Sequence, residues 1–123
     1  MTEDTLHIWT AEYLRTASRC PYWHVPNQGR RSVAWAAKLK KMGVLAGVAD
    51  FCLVLDGGRA GFLELKAPKG SQRKSQRDFQ ASVEAAGAWY EIARTSDEVV
   101  GILKAWGAVR GSVVINDILR GAA

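Results

Sequence analysis

Asp50-Phe51-Cys52-Leu53-Val54-Leu55-Asp56-Gly57-Gly58-Arg59-Ala60-Gly61-Phe62-Leu63-Glu64-Leu65-Lys66 decides how this chain is read. Residues 51–55 and 60–66 are runs of strand-forming residues, and the Asp-Gly-Gly-Arg between them is a strong hairpin signal. Alternate residues of a strand share a face, so Glu64 and Lys66 project together while Leu63 and Leu65 turn the other way. Asp50 joins them only if opposed positions across the hairpin sum to an even number. A two-residue loop at Gly57-Gly58 pairs position 56 with 59 and fails that test. A three-residue loop with a glycine bulge, or a bulge near Asp50, passes it, and one of these is expected.

Outward from the hairpin the chain alternates helix and strand, without repeats or low-complexity linkers. Residues 4–19 read as a helix with Leu6, Trp9, Tyr13, Leu14 and Ala17 on one stripe. A short strand over 22–25 follows Pro21. Helix 31–42 carries Trp35, Leu39 and Met42 on one side and Arg31, Lys38 and Lys41 on the other. After the hairpin a helix from 71–75 to 86 aligns Gln76, Phe79, Val83 and Ala86. A strand over 89–93 and a helix over 96–106 come next, and the tail 111–123 suits strand or helix equally. The expected fold class is α/β, a mixed central sheet whose hairpin carries the chemistry, flanked by helices. At 123 residues and 48% hydrophobic composition, one domain over 1–123 is expected, with a core large enough to exclude disorder.

Charge is unevenly spread. Residues 13–49 hold seven bases and no acid, and residues 65–77 hold five more bases and no acid. These two windows contain 12 of the 17 positive charges, whereas the chain from Asp78 onward is slightly acidic. A basic face is therefore expected, more informative than the net charge of +5. Its members are Arg30, Arg31, Lys38 and Lys41 in the first window and Lys69, Arg73, Lys74 and Arg77 in the second. Helix 31–42 ends just before the loop into Asp50, so its charged side is expected to flank the acidic residues.

Other classes drop out. Apolar runs fall short of the ~18–20 residues that a membrane span needs, and an acidic Met-Thr-Glu-Asp-Thr start is unlike a signal peptide. Cys20 and Cys52 form neither a CxxC pair nor a zinc set. The stretch 69–75 lacks the second glycine of a P-loop, so no nucleotide cofactor is expected. A cytoplasmic location, in a bacterial or phage-infected cell, follows as the expectation.

An aspartate, a glutamate and a lysine on one spot have a specific use. Two carboxylates are hard oxygen ligands of the kind and number that Mg²⁺ takes, with water and phosphate oxygens completing its shell. A lysine beside them can orient a water and neutralise a phosphate. An ordinary exposed strand with a Glu–Lys pair would show the same residues, so register is the test.

Asp50 followed by Glu64-Leu65-Lys66 resembles the core motif of the PD-(D/E)XK nucleases, a restriction-endonuclease-like fold. The surrounding residues narrow the resemblance to the VRR-NUC (virus-type replication-repair nuclease) domain. They are Pro26-Asn27-Gln28-Gly29-Arg30, residues 38–44, Gly47-Val48-Ala49-Asp50-Phe51, residues 62–68, Gly70, Gln76, Gly87, Tyr90 and residues 103–107. Together they span about 20–107. The resemblance implies Asp50 and Glu64 as metal ligands with the Leu65 carbonyl as a third, Lys66 as the catalytic lysine, and Gln76 bordering the site. It implies Mg²⁺, with Mn²⁺ able to substitute, and phosphodiester hydrolysis in DNA. Branched DNA such as junctions or flaps, and a homodimer, are the expected partners.

Some positions depart from the pattern. Ala49 stands where the family has proline, and Arg73-Lys74 where it has Ser-Pro, leaving Ser71 or Ser75 as the expected helix cap. A first-helix glutamate completes such sites, and Glu3, Glu12 and the nearby His7 remain open alternatives. The competing readings are a catalytically idle nucleic-acid-binding module and an unrelated structural domain.

Overall fold

The computed structural model describes residues 1–26 and 32–111. Thr2 caps the first helix, its Oγ1 accepting from the Thr5 N–H at 3.1 Å, and α1 (Glu3–Ala17) buries Leu6, Tyr13, Leu14 and Ala17 as the stripe requires. Thr10 interrupts that stripe at no polar cost, because its hydroxyl donates to the Leu6 carbonyl at 2.7 Å. Pro21 separates α1 from β1 (Tyr22–His24). Then come α2 (Val33–Lys41), β2 (Phe51–Val54), β3 (Ala60–Leu65), α3 (Lys74–Ala85), β4 (Trp89–Ala93) and α4 (Ser96–Ala105).

The four strands form one sheet in the order β1-β2-β3-β4, antiparallel except for the parallel pair β3–β4 that α3 connects. Phe51 pairs with Leu63 and Leu53 with Gly61. This is the even register, and one step beyond Phe51 it sets Asp50 opposite Glu64. The turn that produces it is the three-residue loop: the Leu55 N–H donates to the Arg59 carbonyl at 2.8 Å around Asp56-Gly57-Gly58. Gly57 and Gly58 sit at φ 82° and 86°, a left-handed pair that residues with a Cβ resist.

Alternation then sorts the strands into two layers. Phe51, Leu53, Leu63, Leu65 and Ala93 face α1 and α4 and form the main core with Leu6, Leu14, Val99 and Leu103. Each fully buried leucine or phenylalanine there contributes roughly 1.5–3 kcal/mol. The opposite face packs Phe62, Tyr90 and Ile92 against α3 through Phe79, whose ring meets Phe62 edge-on at 5.0 Å. Asp50, Glu64 and Lys66 belong to this second face. None of the described helices is long and apolar enough to cross a membrane.

Helix α2 departs from expectation. It buries no residue: Trp35 and Met42 are exposed and Leu39 half-buried. Ala36, Leu39, Lys40 and Gly43 line the cleft beside Asp50, while Lys38 and Lys41 fall about half a turn away. The side of α2 that lines the cleft therefore carries Ala36, Leu39 and Lys40 in place of the expected Lys38 and Lys41.

Gly47 seats the loop that follows α2. It lies at φ 83°, and a Cβ on it would stand 2.2 Å from the Ser75 carbonyl oxygen and 2.8 Å from the Gln76 nitrogen. Main chain passes against main chain here, immediately before Asp50 and at the first turn of α3. Gly47→Ala should lower the free energy of unfolding by about 1–3 kcal/mol, from the left-handed conformation and the clash together. Denaturant titration checks this, and an unchanged midpoint would show that the loop can draw back freely.

Candidate active site

Asp50 and Glu64 are held where carboxylates are least comfortable. Both are buried, at 7% and 3% exposure, on adjacent strands of one sheet face. The Leu65 N–H donates to Asp50 Oδ2 at 2.8 Å, so main chain next to Glu64 fixes its partner's carboxylate. The Asp50 carbonyl accepts from the Val25 N–H at 2.9 Å and from His24 Nδ1 at 2.8 Å. A carbonyl only accepts, so Nδ1 of His24 carries its proton.

Gln76 ties the remaining groups together. Its Oε1 accepts from Lys66 Nζ at 2.8 Å and from the Arg73 N–H at 2.8 Å, and its Nε2 donates to Glu64 Oε1 at 3.3 Å. These partners fix the amide orientation: oxygen to the two donors, nitrogen to the carboxylate. The same side chain closes the first turn of α3, so Arg73, and neither Ser71 nor Ser75, is the N-cap residue. A side chain at the third helical position has replaced the cap that serine would supply.

Glu3 resolves the choice on the first helix. Its carboxylate, with those of Asp50 and Glu64, offers oxygens within 4.8 Å of one another. Glu12 instead pairs with Arg15, and His7 packs its ring against His24 at 4.3 Å and Phe51 at 4.9 Å. Burial and then the neighbouring His24 hold the His7 pKa below its ordinary value. Three acidic oxygens this close repel unless a cation or protons intervene. Glu64 registers the repulsion: burial, then the Asp50 carboxylate, push its pKa up to about 8, against a smaller opposing pull from Lys66. Glu64 Oε2 is buried without a hydrogen-bond partner, which fits a carboxylate arranged for a divalent cation.

The cluster opens into a cleft of about 1490 Å³ at the carboxyl end of β3 and the start of α3, the crevice position in which βα units bind ligands. Its described lining includes the acids Glu3, Asp4, Asp50, Glu64 and Asp78 and the bases Lys40, Lys66 and Arg73. Of the expected basic residues, Arg73 enters the cleft. Lys74 is paired with Asp78 at 2.7 Å, and Arg77 Nη1 donates to the Gln72 carbonyl at 2.7 Å. Lys69 is exposed on the loop whose Gly70 carbonyl accepts from Arg94 Nη2 at 2.8 Å. Arg30 and Arg31 lie outside the described residues. Lys40 was missed, because periodicity alone put the apolar stripe of α2 inward. Its one sequence signal was a place in the acid-free window.

No family model and no curated protein matches this chain. Among solved structures it is similar to one described as a VRR_NUC domain protein, with a TM-score of 0.68 and 20% sequence identity, covering 86% of this chain and 88% of that one. At that identity the likeness is one of fold, and it agrees with the mixed, helix-flanked sheet.

The Glu64 carboxyl gives a pH test. The folded protein holds its proton up to about 8, whereas the ordinary value is 4.5, so the native state binds more protons than the unfolded chain between them. Metal-free stability from this group is full below about 4.5 and is lost as pH rises toward 8. A divalent cation binds the deprotonated form, so its stabilising effect should grow over the same range. Thermal unfolding across these pH values, with and without Mg²⁺ or Mn²⁺, should show both trends, and Glu64→Gln should flatten them. A metal-induced gain that is unchanged by Glu64→Gln would remove this residue from the ligand set.

Proposed function

For a chain with the VRR-NUC fold, we propose a Mg²⁺-dependent endonuclease that hydrolyses phosphodiester bonds in DNA. One observation carries this reading: Glu3, Asp50 and Glu64 gather their oxygens within 4.8 Å, while Lys66 is held at the same cleft by a glutamine that also touches Glu64. Asp50, Glu64 and Glu3 are the proposed ligands, with the Leu65 carbonyl. A bound Mg²⁺ would lower the pKa of a water and stabilise charge on the phosphate undergoing attack.

The chain's own residues supply the rest. Gln76 Oε1 accepts from Lys66 Nζ, which leaves two ammonium hydrogens for a water or a phosphate oxygen. Lys66 thereby orients the nucleophile and offsets charge as it develops. Gln76 Nε2 fixes one oxygen of Glu64, which leaves the unpartnered Oε2 for the cation. Among the described residues the cleft's five acids against three bases oppose a bare phosphate, so DNA binding and metal loading are coupled. Arg73 in the cleft and Lys69, Lys74 and Arg77 beside it are the proposed phosphate contacts, with Lys38 and Lys41 further out. Branched DNA is the proposed substrate, with two copies of the chain bringing two clefts to one branch.

Asp50→Ala or Glu64→Ala should reduce cleavage at least a hundredfold in Mg²⁺ or Mn²⁺ while leaving DNA binding largely intact, since each also removes a charge that repels phosphate. Labelled junctions, flaps and linear duplex, with binding measured in parallel, provide the comparison. Lys66→Ala should slow cleavage far more than it weakens binding. Equal losses in both would reduce Lys66 to a phosphate contact. Binding without cleavage by the unaltered chain, at any metal concentration, would leave a nucleic-acid-binding module.

A further inference from the structure

His7 and His24 take no part in the proposed hydrolysis, yet their rings lie where α1 meets β1 and β2. His7 is one turn after Glu3, so the two side chains leave α1 on the same face. Its ring stands 4.3 Å from that of His24, edge to face at 82°, and 4.9 Å from that of Phe51. Phe51 follows Asp50 directly and is the strand partner of His24. His24 Nδ1 donates to the Asp50 carbonyl at 2.8 Å. Three rings thus join a helix and two strands beside the point where Glu3 and Asp50 converge on Glu64. Among the described residues the ligand atoms gathered there are carboxylate oxygens, and neither imidazole joins them.

The two imidazoles have different tasks. Glu3 is the first residue of α1, the part of a helix that frays most readily. The main core takes hold of α1 at Leu6, and His7 adds a contact on the side from which Glu3 projects. For His24 the donated N–H matters as much as the ring. The Asp50 carbonyl also accepts from the Val25 N–H at 2.9 Å, so it stays satisfied without His24. The second donor therefore acts by holding the Asp50 peptide from another direction. A phenylalanine would supply the ring without the donor, and an asparagine the donor without the ring. We propose that His7 and His24 are positioning residues for the cation site: His7 sets the Glu3 carboxylate through α1, and His24 sets the Asp50 carboxylate through its main chain. This rests on the nuclease reading for its cation, though not for its hydrolysis.

The test titrates the full chain with Mn²⁺ and follows the free ion by electron paramagnetic resonance, so cleavage does not enter. His7→Ala should weaken Mn²⁺ binding by roughly ten- to a hundredfold. His7→Phe, which keeps a ring against His24, should recover most of that loss. Because His7 acts through Glu3, His7→Ala should cost little further in a chain that already carries Glu3→Gln. His24→Phe keeps the ring and loses the donor to Asp50, so its loss should persist in the Glu3→Gln background. Unchanged affinity in His7→Ala, or a full loss from it in that background, would overturn the role of His7. Unchanged affinity in His24→Phe would overturn that of His24. So would losses that merely follow the denaturant midpoints of the variants, for either residue. Should His7→Ala not fold, His7→Leu fills the space without a ring and takes its place. If the unaltered chain binds no Mn²⁺, the positioning roles fall with the cation site. If it binds Mn²⁺ with the expected pattern but cleaves no DNA, the nuclease reading fails and the positioning roles stand.

Discussion

Two buried carboxylates face each other across the β2–β3 hairpin, and much of the structure around them answers the cost of that pairing. Neither Asp50 nor Glu64 can move away, because the even register and the three-residue loop fix their strands. Burial strips water from the Glu64 carboxylate and, with the Asp50 charge as the second cause, raises its pKa. The Leu65 N–H, the Gln76 amide and the nearby Lys66 each offset part of it. A proton on Glu64 or a bound divalent cation would settle the rest of the charge. This is why the arrangement suits metal chemistry better than structural stability.

Gln76 links that electrostatic problem to the fold. One amide caps the start of α3, holds the Lys66 ammonium and restrains Glu64. The close approach of Gly47 to Ser75 presses the loop before Asp50 against the same helical turn. Helix α3 is in turn anchored by Phe79 on Phe62 and Tyr90. A disturbance of the α3 N-terminus would therefore reach the carboxylates and the lysine together.

The charge that a polyanion would meet is layered. Among the described residues acids outnumber bases inside the cleft, and two of the surrounding cations are already engaged: Lys74 by Asp78 and Arg77 by the Gln72 carbonyl. Of the α2 lysines, Lys40 lines the cleft, while Lys38 and Lys41 lie on other sides of the helix. Long-range attraction weakens with salt, whereas the buried carboxylates are screened far less.

The hairpin, the shared face of Glu64 and Lys66, and the inward placement of Gln76 were legible in the sequence because they depend on local periodicity. Period two and period 3.6 place side chains relative to their own strand or helix. The demand for an even register was equally local, since parity follows from loop length. Tertiary structure alone decided which first-helix residue reaches the carboxylates. Glu3, His7 and Glu12 all sit on one helix, and only its packing across the sheet brings Glu3 to Asp50 and Glu64. It also decided the orientation of α2. Periodicity names the two sides of a helix, but which side meets the protein depends on contacts far away in sequence. Here Trp35 and Met42 stay exposed while Ala36, Leu39 and Lys40 line the cleft. An apolar stripe turned to the surface has the same sequence as one turned to a core.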